Sequence, residues 1–210
     1  MKTLNNILKV FLLNFMFIGS VFSATTCPAL SIEKNYISPA SQAEAVIGSA
    51  LCALIQLKKD GEYRYRNVLE LIKKQVIPFI DIKYTTELVL DEHWEELNTT
   101  EKKVFEKDLT KSLVEDYVSL LVNYDKFESI YVEVDKNIIL NGNKSEVKIY
   151  TSTGSDREIT AITLKMIRNE RKWRVYDLIY QTISILDIER MSYGSKIYRY
   201  GLHNFIQKIQ

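Results

Sequence analysis

Two histidines, two cysteines and one isolated acid are the residues of this 210-residue chain that could do the most chemistry if brought together. His93 and His203 are far apart in sequence and neither sits in a metal-ligand spacing, so no metal site is expected. There is no Gly-x-Ser-x-Gly elbow, no Gly-rich phosphate loop and no Cys/His arrangement that would activate a thiol. Carboxylates crowd Asp91, Glu92, Glu95 and Glu96, but such a run reads as the solvated face of a helix. Asp177 differs, standing between Tyr176 and Leu178 in an apolar, strand-like segment. There it could act as a general base beside Tyr176, as in small cone-shaped α+β isomerases. The simpler reading is a structural carboxylate that caps backbone or pairs with Arg174 or Arg190. That reading is favoured because no second catalytic partner is evident, and no enzyme is expected.

The cysteines depend on compartment. Met1-Lys2, Lys9, the apolar run Val10–Ile18 and the small residues Ser20, Ser23 and Ala24 have the order of a secretory signal peptide, with cleavage expected after Ser23. A membrane anchor would need about 20 apolar residues, and Asn14 interrupts a run already too short. Lipidation at Cys27 would need a Leu-type residue three positions earlier, where Ala24 stands. Export would permit Cys27 and Cys52 to pair, closing a loop of about 26 residues worth roughly 3 kcal/mol in chain-entropy terms. Two independent thiols, with Cys52 a small core residue on an apolar helix face, is the other reading.

The elements that must position these residues follow from periodicity. Ser38-Pro39 opens a helix, with Ser41 and Glu44 at capping-box spacing and Ala43, Val46, Ile47, Ala50, Leu51, Leu54 and Leu57 on one stripe, stopping near Asp60-Gly61. A second helix runs from about Tyr63 to Val76 and ends at Pro78. A third follows at once from Phe79, too densely apolar for a solvent-facing helix. Asn98 and Glu101 have capping-box spacing and open the longest helix, with Phe105, Leu109, Leu113, Tyr117, Leu120, Leu121 and Tyr124 on one side and charges on the other. After Asp125 the period falls to two. Segments 130–134, 147–151, 162–166 and 172–180 alternate as four strands, with turns at Asn141-Gly142 and Thr153-Gly154, before a helical tail. Helices, then an antiparallel meander, then helices predict an α+β fold with helices packed on one face of a twisted four-stranded antiparallel sheet. Residues 24–210 form one domain.

Composition agrees. The chain is 46% hydrophobic and 26% charged, with a formal charge of +1, which suits one well-buried core and excludes disorder. Removing residues 1–23 takes out Lys2 and Lys9 and no acid, so the charge becomes −1; no nucleic-acid partner is expected. The apolar faces exceed what one four-stranded sheet can cover. Either the core is large, or some of this surface lines a cavity for an apolar ligand.

Three collinear segments carry a resemblance. Val76-Ile-Pro-Phe-Ile-Asp-Ile-Lys-Tyr-Thr-Thr-Glu-Leu-Val-Leu-Asp-Glu-His-Trp94, the Asn98-Thr-Thr-Glu101 opening with Phe105, Leu109, Leu113 and Tyr117, and Trp173-Arg-Val-Tyr-Asp-Leu-Ile179, continuing through Ser184, Arg190 and Gly201-Leu202, resemble the MlaC, or toluene-tolerance, family. That family usually has Gly after Leu-Val-Leu, where this chain has Asp91, and Glu-Gly before a Val-Ser, where it has Gln181-Thr182. Both departures bear on backbone geometry, since Gly often marks a conformation other residues disfavour.

The resemblance implies a periplasmic phospholipid carrier working between an outer-membrane lipoprotein-porin complex and an inner-membrane ABC transporter to maintain outer-membrane lipid asymmetry. Helices would surround a twisted sheet that encloses an apolar lipid cavity. Phospholipid would be cargo, and no cofactor is implied. Tail contacts are then expected from Phe79, Ile82, Leu88, Leu113, Tyr117, Leu121, Ile149, Leu164, Met166, Val175, Leu178 and Ile183. On a regular strand Val175 and Leu178 would face opposite ways.

Overall fold

The structure, a computed structural model, describes residues 38–123, 130–153 and 156–210. The expected signal peptide, Cys27, Tyr124 and Gly154 lie outside the described residues. Helix α1 spans Pro39–Lys59. Its cap is Ser38, whose hydroxyl accepts from the Ser41 amide at 3.4 Å. The Ser41–Glu44 box therefore does not form, because Pro39 starts the helix one turn earlier, and Glu44 instead pairs with Lys136. Helix α2 covers Tyr65–Gln75, and Pro78 sits in a 3-10 turn, Ile77–Phe79.

The third helix, α3, starts at Ile82 rather than Phe79. Residues 80 and 81 are drawn out along a sheet edge. Ile80 bridges Val175 in parallel, and the Asp81 amide donates to the Val175 carbonyl at 2.8 Å. The Asp81 carboxylate then caps α3 through the Tyr84 amide. Helix α3 ends at Leu90 and a 3-10 turn, Asp91–Trp94, follows.

Helix α4, Thr99–Val122, begins with a complete capping box. Asn98 accepts from the Thr100 and Glu101 amides at 2.9 and 3.0 Å, and the Asn98 amide donates to the Glu101 carboxylate at 2.9 Å. Phe105, Leu109 and Leu113 pack on one side and Val114 and Val118 on another. Helix α4 is thus held between two helical groups, a wider apolar surface than the single stripe predicted.

Among the described residues the sheet has six strands rather than four: β1 Ile130–Val134, β2 Ile139–Asn141, β3 Lys144–Thr153, β4 Asp156–Asn169, β5 Lys172–Tyr180 and β6 Ile183–Ser184. The order is β1-β3-β4-β5-β6, with β2 pairing the start of β3, and every pairing is antiparallel. The two added strands are three and two residues long, too short to show a period. Helices α5, Ile185–Tyr200, and α6, Leu202–Ile209, complete the chain. Gly201 adopts φ 76° between them, a conformation that favours glycine.

A β-bulge decides which β5 side chains share a face. Lys165 pairs with Asp177 and Met166 with Val175, leaving Tyr176 as the extra residue. The bulge reverses the parity, so Val175 and Leu178 stand on one face, opposite Met166 and Leu164. The expected opposition of Val175 and Leu178 is corrected. Helices approach both sides of the sheet rather than one: α1 covers the Leu164–Met166 face, whereas the start of α5 bonds to Asp177 on the other.

Candidate functional site

Among the described residues the apolar interior divides into three clusters. One joins α3, α4, α5 and α6 around Phe105, Tyr193 and Phe205, whose ring centroids lie 5.8–6.0 Å apart. A second lies between α1 and the sheet: Ala40 and Ala43 meet Val134, Val147, Ile149, Leu164, Met166 and Trp173. The third joins α1, α2 and α4 through Leu54, Val68, Leu71, Ile72, Val114 and Val118.

The second and third clusters meet along α1 and β1. Ile47 belongs with the sheet cluster and Leu51, one turn on, with the helical one; Val132 and Ile130 divide in the same way. These four side chains are half-buried, as are Ile162, Val175 and Leu178 beside them and Leu121 across the junction. Helix α1 has a mean hydropathy of 1.3 over its most apolar 18 residues, yet only 33% of that window is buried. By length and composition it could cross a membrane. In this fold its apolar side chains are covered only in part.

The structure brings five of the twelve expected tail contacts, Ile149, Leu164, Met166, Val175 and Leu178, onto the sheet face under α1. Ile82, Leu88, Leu113 and Tyr117 belong to the α3–α6 cluster, and Leu121 to the α1–α2–α4 cluster. Phe79 is buried in its 3-10 turn. Ile183 is 52% exposed. Ile47 and Leu51 on the α1 stripe, and Val132 and Ile162 in their strands, were legible as apolar positions but were not among the expected tail contacts. The signal that could have found Ile47 and Leu51 as such is apolar character on α1 wider than one packed face requires.

Asp177 is fully occupied. It is 5% exposed; it accepts from the Ser184 hydroxyl at 3.0 and 2.9 Å and from the Leu186 amide at 3.1 Å, with Lys165 Nζ at 3.5 Å. Ser184 in turn accepts from the Asp187 amide and caps α5. The carboxylate anchors this helix start, and its cationic partner is Lys165 rather than Arg174 or Arg190. Arg190 donates instead to the Leu88 carbonyl at 3.1 and 2.9 Å, tying the end of α3 to α5. The bulged Tyr176 packs edge-on against Tyr84 at 5.3 Å, with Lys144 Nζ 5.8 Å from its ring. Burial, first, raises the Tyr176 pKa. The Asp177 charge adds to that rise, while the hydrogen bonds of Asp177 itself go to Ser184 and Leu186. Among the described residues there is no group of acidic, His or Cys side chains suited to a metal. Cys52 is not a free thiol, and Cys27 is outside the described residues.

The profile of the MlaC protein family matches residues 45–210. This chain belongs to the MlaC family. A solved structure of the phospholipid-binding protein from Ralstonia solanacearum, in complex with a phospholipid, shares the fold with a TM-score of 0.69 at 14% identity, covering 80% of this chain and 93% of that one. No curated protein matches in sequence.

The two departures from the MlaC pattern now have a geometry. Asp91 has φ 51° and ψ −121°, and Gln181 has φ 56°. At the family's Gly position Asp91 thus keeps a backbone conformation that glycine would adopt with less strain, whereas the positive φ of Gln181 falls on the family's Glu, one residue before Thr182.

Proposed function

We propose that this MlaC-family chain is a periplasmic phospholipid carrier, exported by residues 1–23. It shuttles lipid between an outer-membrane lipoprotein-porin complex and an inner-membrane ABC transporter and maintains outer-membrane lipid asymmetry. The acyl tails lie between α1 and the sheet, against Ile149, Leu164, Met166, Val175 and Leu178, with Leu121 at the α4 side. The observation that carries this reading is the incompletely buried wall of α1 facing half-buried apolar residues of β1, β4 and β5. Each tail methylene is worth roughly 0.8 kcal/mol when removed from water, so a carrier must enclose its cargo in transit. Contact between apolar side chains and tails asks nothing of charge, which suits a chain near neutrality.

The test is mass spectrometry of an organic extract of the purified protein, beside Val175→Glu. The wild type carries phospholipid at a fixed stoichiometry, and the variant, exported and folded, carries none. A lipid-free wild type that refolding with phospholipid cannot load overturns the proposal. Leu164, packed more completely at 7% exposed, would report on folding instead.

A further inference from the structure

A second feature lies outside the sheet face, in the angle between α5 and α6. The Gly201 turn sets the two helices apart, leaving a pocket of about 460 Å³ lined by Ser192, Ser195, Lys196, Arg199, Tyr200, Phe205 and Lys208. None of these residues belongs to the expected lipid contacts. Two of the lining residues are aromatic, Phe205 buried and Tyr200 exposed, and three are cations. Each cation is seated on a ring: Lys196 Nζ lies 4.8 Å from the Tyr193 centroid and 5.9 Å from that of Phe205, Arg199 lies 6.0 Å from Tyr200, and Lys208 Nζ lies 3.7 Å from Tyr200.

Ring faces attract cations without neutralising them. The ion pairs among the described residues include none of the three. Two acids act on the Tyr193 end of this network: Asp108 accepts from the Tyr193 hydroxyl at 2.8 Å, and the buried Glu189, one turn earlier on α5, acts on the same hydroxyl through space. A chain with almost no net charge thus gathers three cations around one pocket. Two basic side chains on α5, three residues apart, and one on α6 can close on an oxyanion from both walls, with Arg199 offering a bidentate fork. The volume exceeds the needs of a bare oxyanion, and Tyr200 and Phe205 supply an apolar surface for whatever the anion is attached to.

We propose that the α5–α6 pocket binds a phosphate ester with an apolar body, the phosphate against Lys196, Arg199 and Lys208 and the body against Tyr200 and Phe205. The site does not depend on the acyl-chain wall and survives its failure.

The test is backbone-amide NMR of the 15N-labelled protein titrated with phenyl phosphate, inorganic phosphate and phenol. Phenyl phosphate shifts the Ser192, Lys196 and Lys208 amides saturably, inorganic phosphate binds the same site more weakly, and phenol leaves it unmoved. Affinity falls as salt rises. The combined Lys196→Gln, Arg199→Gln, Lys208→Gln variant loses binding at least about tenfold, while its Val147 and Leu164 amides, on the sheet, stay in place and show that it is folded. Titration with dihexanoylphosphatidate identifies the source: tighter binding than phenyl phosphate assigns the site to a lipid headgroup, and equal or weaker binding assigns it to a free phosphate ester. No saturable shift with phenyl phosphate, an equal response to phenol, or undiminished binding by the triple variant overturns the proposal.

Discussion

The α3–α6 cluster and the α1–sheet junction are built from similar residues and finished differently. In the first, Phe105, Tyr193 and Phe205 interlock in the buried centre, the Tyr193 hydroxyl donates to Asp108, and Arg190 satisfies the end of α3. In the second, Met166 and Ile149 form a closed floor, but the residues above and beside them stop half-buried. The contrast separates a framework that gains stability from close packing from a surface that gives some of it up. In the proposed carrier, the second surface is the one completed by acyl chains.

The largest expected effect tests the framework. Phe105→Ala should cost about 3–5 kcal/mol in a chemical unfolding experiment. Leu178→Ala, at the junction, should cost about 1 kcal/mol or less and act mainly by lowering lipid retention. Equal losses at the two sites would erase the distinction. Asp177→Ala removes the acceptor for Ser184, Leu186 and Lys165 at the start of α5, and denaturant titration should show a loss of about 2–3 kcal/mol. Asp177→Asn, which keeps one oxygen, should lose less.

A smaller change runs the other way. Asp91→Gly relieves φ 51° and should raise stability by about 1 kcal/mol; a lowered melting temperature would show that the backbone there is not strained.

A further effect is alkaline. Burial raises the Tyr63 pKa to about 12 from its ordinary 10.0, and its hydroxyl donates to the Leu121 carbonyl in the α1–α2–α4 cluster. The neutral form is favoured by folding, so its contribution is whole below pH 10 and lost as pH rises through about 12. Unfolding midpoints across that window should fall less steeply for Tyr63→Phe than for the wild type.

Local chemistry was the legible part of this molecule. The Asn98–Glu101 box and the Ser38-Pro39 start depend on neighbours in sequence, although the cap at Ser38 displaced the pattern at Ser41. The strand periods located β1, β3, β4 and β5. What sequence did not show is set by distant partners. Residues 80 and 81 are extended only because β5 offers Val175, which delayed α3, and the bulge at Tyr176 is visible only in register with β4. The same bulge put Val175 and Leu178 on one face, which period two had forbidden. The wall itself was legible as excess apolar surface; its division into a closed cluster and an open junction was not, because periodicity ranks faces and does not say how fully a face is covered.

The most direct test of the central claim is photo-cross-linking with a phospholipid that carries its reactive group on the acyl chain, mapped by peptide mass spectrometry. The account predicts adducts on α1, β4 and β5, at or beside Ile47, Leu51, Ile162, Val175 and Leu178. Adducts confined to the Phe105–Tyr193–Phe205 cluster, or none from a lipid-loaded protein, would contradict it.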